Sequence, residues 1–183
     1  MSCSFTLEHY CEIIEIAKKS GYVFRGFNDT ASDSDGLSIC LRHDIDVCLE
    51  EAVDMAEVEA KMGVSSSYFV LINSPVYNPL SKDSMELLKN IYDKGHWIGL
   101  HIDPVLLPQT DNGIIEEFVS HLITLYSSAI RLVPVVSFHR PTKNLIGINF
   151  HKFVSTYSEQ FFKKMKYVSD SRGIWREGCP CEV

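Results

Sequence analysis

From residue 37 onward the chain alternates short, almost continuous apolar runs with longer segments whose apolar positions recur at helical spacing. The runs at 37–43, 66–72, 97–101 and 133–138, with a short one near 166–169, have the length and β-branched content of strands. Between them, Leu49, Ala52, Val53 and Ala56 predict a helix over 48–62 that Gly63 stops. A second helix opens at Ser81 or Asp83 and closes at Gly95, and Ile114, Phe118, Leu122, Ile123 and Tyr126 predict a third over 113–130. The aromatic-rich stretch 150–165 also reads as helical. Ahead of these units, Thr6 is placed to cap a helix carrying Tyr10, Ile13, Ile14 and Ala17, with Phe5 and Tyr10 as a hydrophobic staple and Gly21 as its stop. Residues 28–36 form a polar loop whose carboxylates lack EF-hand spacing.

Alternating strands and helices predict an α/β protein with a parallel sheet and right-handed crossovers. Five strands fall short of the eight of a complete barrel, so an incomplete or distorted (β/α) barrel is the first expectation and a flavodoxin-like doubly wound sheet the second. A length of 183 residues suits one domain, 1–183. A formal charge of −7 disfavours polyanions and argues against nucleic acid as a partner. The N-terminus lacks a secretion-signal pattern and no apolar stretch reaches the ~20 residues of a membrane span, so a cytoplasmic protein is expected. The cysteines at 3, 11, 40, 48, 179 and 181 have neither zinc-ribbon nor disulfide-framework spacing, and reduced thiols are the simplest reading. Cys179-Pro-Cys181 as a metal or redox pair is the lesser one.

Chemistry gathers where the strands end. His43, Asp44 and Asp46 follow the first run, Asn73 the second, His101 and Asp103 the third, His139 and Arg140 the fourth, and Ser169 and Asp170 the last. In parallel α/β folds those ends share one rim, where sites are built. Each residue also has a structural use: His101 as a core histidine, Asp103 as a turn residue before Pro104, Arg140 as a surface cation, Asp170 as a turn cap. His9, His96, His121 and His151 are read as structural. Two imidazoles with two or three carboxylates suit zinc, manganese, iron or cobalt better than calcium. Three ligands plus water, with a spare Asp as general base, would make a metal-assisted hydrolase. P-loop, GxGxxG and Gly-x-Ser-x-Gly signatures are absent from the sequence.

Arg-His-Asp-Ile-Asp (42–46), Ser-Ser-Tyr-Phe (66–69), Gly-His-Trp-Ile-Gly-Leu-His-Ile-Asp (95–103), Ser-Phe-His-Arg-Pro (137–141) and Ser-Asp-Ser-Arg-Gly-Ile-Trp (169–175) together resemble the NodB-like polysaccharide deacetylases, carbohydrate esterase family four. The wording is closest to a divergent branch associated with bacterial surface-polysaccharide gene clusters. The resemblance covers about 37–176 and implies a distorted β/α barrel that binds a divalent metal, commonly zinc, and removes an acetyl group from an N-acetylated sugar. It implies Asp44 as general base, Asp46 and His101 as metal ligands, Arg140 as the residue orienting the base, and Asp170 with Trp175 as residues tuning the base and lining the pocket. The family's second metal histidine falls at Val105, so His139, or failing it Asp103, is the expected third ligand. Asp103, His43 and Trp175 are otherwise expected to face substrate, with Tyr77 as a further stacking aromatic. The family's fifth motif, a Leu-x-His that follows the fourth and supplies the general acid, is not found between Trp175 and Val183, which leaves His43 as a substitute or implies C-terminal strands beyond the sequence. Two other activities compete with deacetylation: a sugar-binding relative without turnover, and hydrolysis of another C–N amide bond.

Overall fold

The computed structural model describes residues 3–29, 36–108, 111–170 and 173–182. Helix α1 (Leu7–Lys19) precedes two short strands, β1 (Val23–Phe24) and β2 (Ser38–Ile39), which pair in parallel. The main sheet contains β3 (Arg42–Ile45), β4 (Ser67–Leu71), β5 (Trp97–Ile102), β6 (Val135–Phe138) and β7 (Val154–Ser155). Helices α2 (Leu49–Lys61), α3 (Lys82–Asp93) and α4 (Asn112–Ser127) connect the first four of these. All five strands are parallel and neighbour one another in chain order. The protein is therefore α/β with a five-stranded parallel sheet, as the alternation predicts.

Local signals set the helix ends. The Thr6 side chain accepts from His9 N and that of Ser81 from Ser84 N, so Ser81 rather than Asp83 opens α3. Asp111 caps α4 by accepting from Gly113 and Ile114 N. Gly21, Gly63 and Gly95, the three predicted stops, have φ of 83°, 70° and 94°, the left-handed conformation that glycine adopts at least cost. The buried stripe of α4 is Ile115 and Val119, one position beyond the expected one, and Ile114 is half exposed. The apolar side of that helix spans about half its circumference, so periodicity alone does not choose which part of it meets the sheet. Phe5 does not staple to Tyr10; it stacks on Trp175 with ring centroids 5.2 Å apart.

Three expected elements differ. The run 37–43 divides between β2 and β3, with the strand beginning at Arg42. The stretch 150–165 is not one helix: it holds β7 and a single π-type turn at Gln160–Lys164. Val154 and Thr156 donate backbone hydrogen bonds to Pro134 and Val136, so a β-branched run completes the sheet where aromatic spacing reads as a helix. Residues 166–169 are not in a strand. Of the loop 28–36, residues 30–35 lie outside the described residues.

Side-chain alternation gives the sheet two different faces. Ile45, Tyr68, Val70, Ile98, Leu100, Ile102, Val136 and Phe138 pack with the buried residues of α2, α3 and α4 into one cluster. All three connecting helices thus cover the same face, as right-handed crossovers stepping in one direction require. On the opposite face Phe69 and Val135 meet Phe27 and Phe161, while Arg42, Asp44 and His101 belong to the same strand parity. Gly99 makes this second layer possible. A Cβ there would stand 2.6 Å from both Phe69 Cε1 and the Val135 carbonyl oxygen. Gly99→Ala is expected to cost about 1–3 kcal/mol of stability by overpacking, read from the midpoint of urea unfolding. An unchanged midpoint would mean that Phe69 does not lie across β5.

Candidate metal centre

Strand β3 ends at Ile45, and the two carboxylates on either side of it converge on one imidazole. His101 Nδ1 is 3.8 Å from Asp44 Oδ1, and His101 Nε2 is 3.3 Å from Asp46 Oδ1. His139, just past β6, brings Nδ1 to 3.3 Å from the same Asp46 oxygen and 3.1 Å from His101 Nε2. Asp46 Oδ1, His101 Nε2 and His139 Nδ1 therefore form a nearly equilateral triangle.

The protonation pattern follows from the neighbours. His101 is 1% exposed and donates from Nδ1 to the Ser137 carbonyl at 3.0 Å, which leaves the Nε2 lone pair facing Asp46 and His139. Burial holds its pKa below the usual histidine range, although Asp44 and Asp46 pull the other way, so the ring is neutral near pH 7. Asp46 Oδ1 and Asp44 Oδ1 are both buried without a hydrogen-bond partner. Buried carboxylate oxygens rarely go unsatisfied, and they mark a place where a cation or water has a role.

The donor set fits a small divalent ion. Nitrogen and oxygen ligands at about 2.0–2.1 Å from a tetrahedral zinc lie about 3.3–3.4 Å apart, close to the edges of this triangle. The Nδ1–H bond from His101 to a backbone carbonyl is the outer contact that metal-binding histidines use to fix their tautomer. One carboxylate and two imidazoles leave further coordination positions open.

Asp44 is held by a residue the sequence reading passed over. Arg42 Nε is 3.5 Å from Asp44 Oδ2, two positions away on the same strand face. The guanidinium donates to Tyr167 OH at 2.9 Å and Thr156 Oγ1 at 3.3 Å, and lies over the Tyr157 and Tyr167 rings. Burial works against the Arg42 cation, but Asp44 and the two phenols outweigh it and keep its pKa above the ordinary value. Arg140, expected in this role, is exposed, has a φ of 48°, and makes no ion pair with Asp44 among the described residues.

Five other expected site residues are engaged elsewhere. Asp103 caps a one-turn helix, its Oδ1 accepting from Val105 N at 2.9 Å, which favours His139 as the third donor. His43 has the opposite strand parity and points at α2, with Nε2 2.7 Å from Glu59 Oε1. Trp175 packs on Phe5. Asp170 is exposed and its carbonyl closes a turn with Gly173 N, while Ser171 and Arg172 of that motif lie outside the described residues. Tyr77 does not present a stacking face to a sugar as expected but braces the rim. Its hydroxyl donates to the Ile45 carbonyl at 2.6 Å and accepts from Leu71 N at 2.8 Å, and Ser74 Oγ donates to the Asp46 carbonyl.

Behind His43 is a buried network that joins four elements. Glu59, fully buried in the last turn of α2, accepts from Tyr68 OH at 2.6 Å, from Tyr10 OH, and from His43 Nε2. Burial alone would raise its pKa, but His43 foremost, then Tyr10 and Tyr68, bring it down to about 2. His96 behaves as the expected core histidine: Nδ1 accepts from Ser66 N and Nε2 donates to the Ala56 carbonyl.

No family model matches the chain, and neither does any curated protein. Among the described residues no helix is long and apolar enough to cross a membrane.

Proposed function

We propose that the protein is a divalent-metal-dependent hydrolase of an amide bond, with removal of an acetyl or similar acyl group from an N-acylated sugar as its reaction. The observation that carries this reading is the Asp46–His101–His139 triangle beside an Asp44 that is oriented by Arg42 yet keeps one buried oxygen unpaired. A divalent ion on those three donors, zinc first and manganese, iron or cobalt as alternatives, supplies Lewis acidity toward a carbonyl oxygen and toward water. Asp44 acts as general base, its unpaired oxygen taking the proton of the attacking water, while Arg42, 3.5 Å from the other oxygen, holds the carboxylate in place. With His43 turned toward α2, the protonated Asp44 is the group that returns the proton to the leaving nitrogen. His101 is kept in one tautomer by Ser137, and Tyr77 and Ser74 fix the backbone that carries Asp44 and Asp46.

Strand order supports the barrel form of the fold. Strands in chain order, with every connecting helix on one face, suit an open arc of a (β/α) barrel and lack the reversal of order that makes a doubly wound switch point. The motif order supports the NodB-like reading of that arc. The loops that continue from His101 and His139 frame a cleft of about 470 Å³ lined by Pro104, Val105, Leu107, Thr142, Asn144 and Leu145, with none of the three donors or Asp44 in its lining.

The experiment is an acetate-release assay on N-acetylated mono- and oligosaccharides, with formyl and cyclic amides alongside. Activity is expected with added zinc, manganese or cobalt, lost to a chelator and restored by metal. Sugar binding without release of any acyl group, with the metal bound, would replace this reading by that of a binding protein. Turnover of only the other amides would keep the hydrolase and change its bond.

A further inference from the structure

Outside the Asp/His triangle, a second group of metal-ligating side chains comes together from opposite ends of the chain. Cys3 Sγ is 3.4 Å from Cys181 Sγ, Cys181 Sγ is 3.1 Å from Cys179 Sγ, and His9 Nε2 is 3.2 Å from Cys179 Sγ. All four donor atoms lie within 4.8 Å of one another. We infer that Cys3, His9, Cys179 and Cys181 form a Cys₃His site for a thiophilic divalent ion, zinc above all, that joins the N-terminal helix to the C-terminal segment.

Three features favour an ion over a disulfide. Any sulfur–sulfur bond among three thiols leaves one cysteine and the imidazole without a partner, whereas four donors of this kind complete a tetrahedral zinc shell. The imidazole is already oriented: His9 Nδ1 donates to Glu12 Oε2 at 3.0 Å, so the Nε2 lone pair faces the sulfurs. A carboxylate behind a histidine in this way is the outer-shell arrangement of zinc sites. Third, Cys179 is buried and His9 has its side chain only 12% exposed, while Cys3 and Cys181 are half-buried, so two of the four donors are largely withdrawn from water. Tetrahedral ligation with sulfur at about 2.3 Å needs sulfur–sulfur edges of about 3.8 Å, so loading opens the 3.4 and 3.1 Å edges by roughly half an ångström.

Four protein ligands leave no position for substrate, which makes this site structural. Cys3 and Cys181 are 178 positions apart, so the ion closes almost the whole chain into a loop and restricts the unfolded state accordingly. It also fixes α1, which carries Tyr10 to Glu59, and the segment in which Trp175 stacks on Phe5.

Cobalt(II) titration of the reduced full chain tests the inference, because thiolate-to-cobalt charge-transfer absorption reports only a sulfur-ligated ion. The expected result is such absorption in the wild type, retained in Asp46→Ala/His101→Ala and lost in Cys179→Ser/Cys181→Ser. Should the serine variant fail to fold, alkylation mapping of the zinc-loaded wild type replaces it: Cys3, Cys179 and Cys181 are expected to be protected, and protection lost on chelation. Absence of the absorption in reduced protein, its survival in the serine variant, or unprotected thiols with zinc present would overturn the site. None of these outcomes depends on hydrolase activity, so this site and the Asp/His centre stand or fall separately.

Discussion

Asp44→Asn is expected to leave metal binding intact and to lower the rate of amide hydrolysis by about 10²- to 10⁴-fold, the usual contribution of a positioned general base. The separation of the two effects follows from geometry. Asp46 supplies the oxygen at the corner of the donor triangle, while Asp44 Oδ1 is 3.8 Å from His101 Nδ1, the nitrogen already committed to Ser137. Asn has the shape of Asp and keeps a carbonyl oxygen for Arg42, but it cannot accept the proton of water. Steady-state acetate release at saturating metal, with metal content measured on the same samples, is the check. Unchanged turnover would remove Asp44 from the chemistry, and lost metal would make it a ligand instead.

Glu59→Leu is expected to destabilise the fold by about 3–5 kcal/mol, the cost of stranding the partners of a buried charge. Tyr10, Tyr68 and His43 all direct polar atoms at this carboxylate. Burial and the nearby Glu59 charge push both phenols well above the ordinary tyrosine range, so they remain donors. The acid limb gives a second signature. A carboxyl held at about 2 in the folded chain, against a usual 4.5, contributes stability that is fully present above pH 4.5 and disappears as pH falls toward 2. That contribution is on the order of 3 kcal/mol. Urea unfolding of wild type and variant should therefore show a gap that narrows across this window. A gap independent of pH would show that Glu59 is not held ionised by its partners.

Much of the rim was legible because the signals were local. Apolar runs ending in polar residues mark parallel strands and their C-terminal ends, and glycines at 21, 63 and 95 mark helix stops through their left-handed φ. Asp46, His101 and His139 come together because β3, β5 and β6 deliver them to the same rim. Strand parity also separates His43 from Asp44 and puts Arg42 beside it, whereas the family resemblance implies Arg140 in that role. Glu59 left a trace as well, since it falls three residues beyond Ala56 on the apolar stripe of α2, where a carboxylate must be buried and paired. Two features had no local signal. The register of α4 depends on which part of a broad apolar side, about half the helix wide, meets the sheet. The Cys3, His9, Cys179 and Cys181 group depends on the two ends of the chain meeting, which spacing along the sequence cannot express.

The Asp/His centre is the claim on which the proposed hydrolysis depends, and an anomalous-difference map from crystals of the zinc-loaded protein tests it most directly. A peak is expected at about 2.0–2.2 Å from Asp46 Oδ1, His101 Nε2 and His139 Nδ1 together, with Asp103 still capping its turn and Asp44 outside the ligand shell. No peak within reach of those three atoms, or one that replaces His139 by Asp103, would contradict it.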